Sequence, residues 1–318
     1  MLTYILRRLL ISIPVLLGVT VVAYFIMTIA PGDAVDMLVD PGLTPEAVLQ
    51  QKKALGLDQP VYIQYLRWFN GLLHGNLGYS YGDSRPVVTR IGERFIPTLT
   101  LALFALLMAY VIGVPVGVIA AVRQYSKFDY TATFVSYLGV SLPSFFLGLI
   151  LIYFLSLKLD MFPTGGLQTI GIEPNIFDRL RHLVLPGTVL GMYQAALVMR
   201  YTRSSMLEAV HQDYVRTARG KGLHERSVVF YHALRNALMP VITLAGLQFP
   251  LLLGGAIITE QIFGWPGMGR LAVEAIFNRD YPTIMGLNML TAVMVTAGNL
   301  LADVGYALAD PRIRHSGG

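Results

Sequence analysis

An all-α integral membrane protein with six spanning helices is what this chain should form, for three reasons. Of its 318 residues, 54% are hydrophobic and only 14% charged, against about 25% charged in an ordinary soluble domain. The apolar residues gather into charge-free blocks, each close to the roughly 20 residues that a helix needs to cross a bilayer. The basic residues collect in the short polar intervals after every second block, which is the charge pattern of cytoplasmic connections.

The blocks are Leu9–Ala30, Phe95–Val122, Tyr130–Leu157, Leu183–Met199, Asn236–Thr259 and Tyr281–Ala302. The fourth is only just long enough. Arg7 and Arg8 before the first block, with Thr28-Ile29-Ala30 after it, loosely imitate a cleaved secretory signal. The block is longer than a signal's core of about 7 to 15 residues and five more follow it, so it is read as a retained span. With the N-terminus inside, Arg123 and Lys127, then Arg200 through Arg235, then Arg312 and Arg314 all fall on the cytoplasmic side. Both termini are therefore expected in the cytoplasm. There are no cysteines, so disulfides and thiolate metal sites are excluded and the redox compartment is left open.

Residues 31–94 form a long insertion outside the membrane. In LTPEAVLQQKKALGL, Thr44 reads as an N-cap, Pro45 and Glu46 as the first turn and Gly56 as the stop. In DQPVYIQYLRWFNGLLHG, Asp58 reads as the N-cap of a second helix with Val61, Tyr65, Trp68, Phe69, Leu72 and Leu73 along one face. Gly82-Asp83 then suggests a tight turn between short extended arms. Two readings of the insertion stay open: an amphipathic segment at headgroup level, or a docking surface for an extracytoplasmic partner through Tyr79, Tyr81, Asp83 and Arg85.

No engine is visible. The Gly220-Lys221 pair lacks the upstream glycine of a phosphate loop, and the glycines of GWPGMG, Gly264–Gly269, lack dinucleotide spacing. The six histidines are scattered. Nor do the span centres hold an ionisable residue, the usual mark of a proton or ion pathway. Glu260 and Asp303 are placed at span ends, within reach of water or headgroups. A membrane enzyme would need convergent polar groups, and the spans offer only Ser, Thr, Asn and Gln, which at these spacings serve helix packing. A conduit that borrows its energy remains.

The polar stretch 200–235 is where such energy would arrive. Tyr214, Val215, Ala218 and Leu223 can form one face of a short helix, and Gly220 and Gly222 permit a sharp exit. Composition alone does not separate a helix seated in the groove of a soluble partner from a basic loop resting on anionic lipid.

YVRTARGKGL followed by HALRNALMPVIT resembles the cytoplasmic coupling loop of binding-protein-dependent ABC-transporter permeases, specifically the B-type subunit of the peptide/nickel family. So do YILRRLLISIPVLLGVTVVAYFI at the start, APGD at Ala30, GNLGYS at Gly75, GVSLPSFFLGL from Gly139, GGAIITEQIFGWPGMGRLAVEAIFNRDYP from Gly254 and DPRIR from Asp310. The likeness runs nearly end to end. It departs from the general coupling motif: the Glu-Ala-Ala positions read Arg216, Thr217 and Ala218, the glycine is Gly222, and the later proline is Arg235. Gly220 stands where related chains often have alanine.

The resemblance implies the type I ABC importer permease fold. It divides the chain into an N-terminal end with the first span, 1–30, the insertion, 31–94, a permease core, 95–308, with its coupling loop 200–235, and a cytoplasmic tail, 309–318. It implies a bacterial or archaeal plasma (inner) membrane, with two ATP-binding subunits, a second homologous permease subunit forming a heterodimer, an extracytoplasmic solute-binding protein and membrane lipid as partners, and no nucleic acid. ATP and magnesium would be bound by the partner subunits, so no cofactor and no catalytic residue is expected in this chain. The contact with the ATPase subunit would be made by Asp213, Tyr214, Arg216, Thr217, Ala218, Arg219, Gly220, Lys221, Gly222 and Leu223. Peptides are the expected cargo, with nickel chelates, glutathione-like compounds and short sugars as alternatives. The third and fifth spans would be central, which makes Ser141, Ser144 and Gln248 the expected lining, with Pro143 interrupting the third span and Gly254-Gly255 allowing a close helix approach in the fifth. A secondary carrier or channel without ATPase subunits is the rival reading.

Overall fold

The computed structural model describes residues 2–29, 35, 44–171, 173, 175–253 and 256–309. The sequence readings on Ala30–Asp33, on Gly254-Gly255 and on the tail from Asp310 fall outside them. The described residues are helical, with one isolated antiparallel bridge, Tyr79 to Pro86. Among the described residues five helices are long and apolar enough to cross a membrane, and a bent helix pair brings the number to six when it is counted as one span.

The chain divides into two compact units, residues 1–98 with 266–297 and residues 99–265 with 298–318. In the first unit α1 (Leu2–Ile29) is followed by α2 (Pro45–Leu55) and α3 (Val61–Leu73). Thr44 caps α2 by accepting from the Ala47 amide, and Gly56 ends it in the left-handed conformation, as the residue types dictate. Asp58 does not cap α3. The helix starts at Val61 behind Pro60, with no side-chain cap. Pro60 holds its own backbone extended, and the Gln64 amide closes the entry by donating to the carbonyls of Gln59 (2.7 Å) and Leu57 (3.4 Å). The aromatic face of α3 packs on α1: Tyr24 meets the Tyr65 ring edge-on and donates to Gln64, and Thr20 pairs with the Tyr65 hydroxyl.

The start of α4 (Val87–Val122), then α12 (Met268–Phe277) and the start of α13 (Tyr281–Ala309), complete this unit. Val87, Ile91, Met268, Leu271 and Leu287 form its core, and the Thr98 hydroxyl accepts from the Met268 amide at 2.8 Å.

In the second unit α7 (Ile176–Val210) is the central element. The fourth apolar block is a narrow stripe because it belongs to a 35-residue helix that is 61% buried over its most apolar window, where α1 is 11% buried. Against it lies the rest of α4, and both helices carry small residues at the crossing. A β-carbon on Gly113 or Gly117 of α4 would lie 2.8 or 2.7 Å from the carbonyl oxygen of Ala195 or Met199, and one on Gly191 of α7 would lie 3.0 Å from that of Ala105. Small residues four apart on each helix let the two backbones touch, which is how spanning helices associate where no hydrophobic drive exists.

The third block is not one straight span. It is α5 (Lys127–Ser141) and α6 (Ser144–Leu151), bent by 104° at Leu142-Pro143, with α6 continued by a π-helical segment over Ile152–Lys158. Pro143 has no amide to return to Gly139, so the ladder stops there. Beyond α7 come α8 (Asp213–Gly220), the single turn α9 (Glu225–Ser227), a second π segment over Val228–Ala233 and α10 (Leu234–Leu253). The fifth block also overruns its helix: Thr259 belongs to a separate short helix, α11 (Ile257–Ile262).

Candidate functional site

Three places hold the residues that the sequence singles out. The first is α8. Its amphipathic sequence buries Val215 and Ala218 in a cluster with Met206, Ala209, Val228 and Val229. Tyr214 and Leu223, expected on the same face, point outward at 38% and 43% exposure, because the helix is wedged between α7 and the second π segment and has only one narrow inner stripe. Gly220 is the last helical residue, and Gly222 alone makes the left-handed turn, at φ +75°. Arg219 reaches Glu225 of α9 through two bonds, at 2.8 and 3.2 Å. Asp213, Arg216, Thr217, Lys221 and Gly222 remain exposed. A short helix is thus anchored by two buried side chains and presents a polar, mostly basic outer face.

The second place is the turn at 78–86. Tyr79, Asp83 and Arg85 are exposed, whereas Tyr81 is largely covered. What fixes the turn is a buried cluster that the sequence reading missed. Asp280, 1% exposed, accepts from Ser80 Oγ at 2.5 Å, from Arg90 Nη1 at 2.8 Å, from Thr283 Oγ1 at 2.7 Å and from the Tyr81 amide at 3.1 Å. Tyr81 stacks edge-on against Tyr281, and burial first, then Tyr24, Asp280 and Tyr281, push its phenol well above the ordinary tyrosine range. Desolvation opposes ionisation of Asp83, but the bonds from the Arg85 amide and Ser80, with the charges of Arg90 and Arg85, outweigh it and hold the carboxyl below its usual range. The sequence signal is the Asn-Arg-Asp-Tyr-Pro run at 278–282, which ends the family-like stretch from Gly254.

The third place is the break between α5 and α6. A cavity of about 350 Å³ opens there, lined by Val140, Pro143, Ser144, Tyr193, Gln194 and Leu252 among others. Ser144 lies in its wall; Ser141 is exposed. Gln248 is buried at 4% exposure, its Oε1 accepting from Tyr110 at 3.3 Å while its Nε2 has no partner.

One further reading is corrected by packing. Glu260 does not sit at a wet span end: it is 0% exposed, because the chain folds back through Gly264 and buries Phe263 and Trp265 around it, the Trp265 amide donating to the Glu260 carbonyl at 2.8 Å. The charge-free span centres are flanked by a buried pair as well. Asp129, 2% exposed, takes a bidentate fork from Arg203 at 2.6 and 2.9 Å. Among the described residues no group of acidic, histidine or cysteine side chains is arranged to hold a metal.

Apolar helices locked by glycine contacts, a span broken beside a cavity, and a small polar-faced helix on the central helix define a polytopic membrane protein. Residues 1–102 match the N-terminal component, and residues 113–315 the inner membrane component, of binding-protein-dependent transport systems. The chain belongs to this family, and is a transmembrane permease subunit of an ATP-driven ABC importer. It is 48% identical over 316 residues to the oligopeptide transport system permease protein AppB of Bacillus subtilis, covering 99% of this chain and 100% of that one. It is 41% identical over 337 residues to the dipeptide transport system permease protein DppB of Escherichia coli, covering 99% of each. The fold is also that of a chain in the inward-facing methionine ABC transporter MetNI, with a TM-score of 0.57 at 17% identity over 70% of this chain and 97% of that one.

Proposed function

We propose that the cargo is short peptides, imported by alternating access through a path of which this chain forms half. What supports this is the end-to-end likeness to permeases named for oligopeptide and dipeptide transport. In this reading the chain pairs with a second homologous permease subunit and works with two ATP-binding subunits, which hold ATP and magnesium, and with a solute-binding protein. Both termini face the cytoplasm, as does α8, which is the docking helix for an ATPase subunit through its outward residues from Asp213 to Leu223. Tyr79, Asp83 and Arg85 contact the solute-binding protein, and Tyr81 holds the turn that carries them. Ser141, Ser144 and Gln248 belong to the path.

The observation that carries the coupling role is the division of α8 into a buried stripe and a free face. Anchoring residues transmit motion to α7 and the second π segment, and free residues are available to a partner. The complex, reconstituted in proteoliposomes with its ATPase subunits and binding protein, should import labelled di- and oligopeptides with ATP. Tyr214→Asp should leave the amount of membrane-inserted chain unchanged while peptide uptake per ATP hydrolysed falls about tenfold or more, since it places a carboxylate in the proposed contact without touching the buried stripe. Normal coupling in that variant would assign α8 to the lipid surface.

A further inference from the structure

The cavity at the α5–α6 break brings unused hydrogen-bonding groups from two elements, α6 and α7, to one place. α6 begins in its wall, with Pro143 and Ser144 both lining it. The first amide of α6 to return to the chain is that of Leu147, which donates to the Pro143 carbonyl at 3.1 Å. The amides of Ser144, Phe145 and Phe146 therefore have no partner one turn back, and together they form the positive end of the helix dipole. The break lies midway along the span, with 15 residues of α5 before it and eight α-helical plus seven π-helical residues after it.

A second observation is independent of the helix end. Gln194 of α7 lines the same cavity, is 9% exposed, and its buried Oε1 has no hydrogen-bond partner. No bond of its carboxamide nitrogen is found either. Its Oε1 is closed off from the cavity, so the atom that the cavity can reach is the unbonded carboxamide nitrogen, a donor of the kind that a carboxylate accepts from. Tyr193 and Ser144 add hydroxyls to the wall, while Leu147, Val189, Leu190 and Leu252 make the remainder apolar. Among the described residues no lysine or arginine lines the cavity, so an anion held there meets partial charges from them. That suits a site which must release what it binds.

We propose that this cavity receives the terminal carboxylate of a transported peptide, held by the free amides at the start of α6, the Ser144 hydroxyl and the Gln194 carboxamide. The assignment rests on the peptide reading above. It adds Gln194 as a specificity-determining residue and turns the break from a packing defect into a binding element, in the way that half-helix ends face anionic groups at mid-membrane. The apolar wall accepts the side chain next to the carboxylate.

The test uses the whole reconstituted complex and two substrates, one short peptide with a free C-terminus and the same peptide as its C-terminal amide. Selection by the binding protein is common to wild type and variants, so it cancels in the ratio of their rates. Gln194→Met preserves volume and removes the amide; it should lower import of the free acid about tenfold, as loss of one charge-assisted bond implies, and change import of the amidated peptide by less than about twofold. Ser144→Ala should shift the same ratio in the same direction by a smaller factor. Equal loss for both peptides, no loss for either, or failure of Gln194→Met to enter the complex would each make Gln194 structural and overturn the proposal. Import of neither peptide by the wild-type complex would instead defeat the peptide reading, and this proposal with it.

Discussion

Asp280 shows how much one residue can fix. Its carboxylate joins Ser80, Tyr81, Arg90 and Thr283, so the turn at 78–86 is held by an acid nearly 200 positions further along the chain. Asp280→Ala removes the buried partner of the Arg90 guanidinium, whose side chain is 17% exposed, and leaves it the longer 3.4 Å pair with Asp83, so the cost falls toward the lower end of the about 3–5 kcal/mol for removing one partner of a buried pair. The expected outcome is sharply reduced yield and a lower melting temperature of the detergent-solubilised chain, with Asp280→Asn intermediate because it keeps acceptor geometry. The exposed residues should behave differently. A triple change of Tyr79, Asp83 and Arg85 to alanine should leave the melting temperature within a degree or two, about the scatter expected of surface substitutions, yet weaken binding-protein stimulation of ATPase activity. Retained stimulation would remove the turn from the docking surface.

At the scale of elements, the α4–α7 crossing depends on backbone contact. The 2.7 Å that would separate a Gly117 β-carbon from the Met199 carbonyl leaves no side chain able to give way. Gly117→Ala should cost about 1–3 kcal/mol, the usual range for overpacking, and Gly117→Leu should abolish accumulation of folded chain. By contrast Gly220→Ala, where a β-carbon meets nothing within 4 Å inside a helix, should be neutral or stabilise α8 by up to about 1 kcal/mol. Circular dichroism of the purified variants and their thermal midpoints separate the two cases. A neutral Gly117→Ala would mean that the crossing relaxes freely.

At the scale of the whole molecule, orientation rests on charge. The chain has no cysteine, so single replacements label without background. A cysteine at Ser84 should react with an impermeant maleimide added outside intact cells, and one at His224 only after the membrane is opened, both positions being exposed. The reverse pattern would invert the topology and move α8 away from the ATPase side.

Period, length and charge made the spans, their number and the polar stretch at 200–235 legible in the sequence, because lipid demands long apolar helices and tolerates little else. Caps were legible where the side chain acts on its own turn, as at Thr44 and Gly56, and not at Asp58, where Pro60 and Gln64 set the start instead. Pro143 marked the place of the break in the third block, but its 104° angle, the burial of Glu260, the outward turn of Tyr214 and Leu223, and the partners of Asp129 and Asp280 were not legible. Each depends on which distant residue arrives opposite: Arg203 lies 74 positions from Asp129, and Ser80 lies 200 from Asp280. The unpaired amide of Gln194 belongs with them, since a glutamine in an apolar run looks the same whether it meets a partner or a cavity, and only the packed helices settle which.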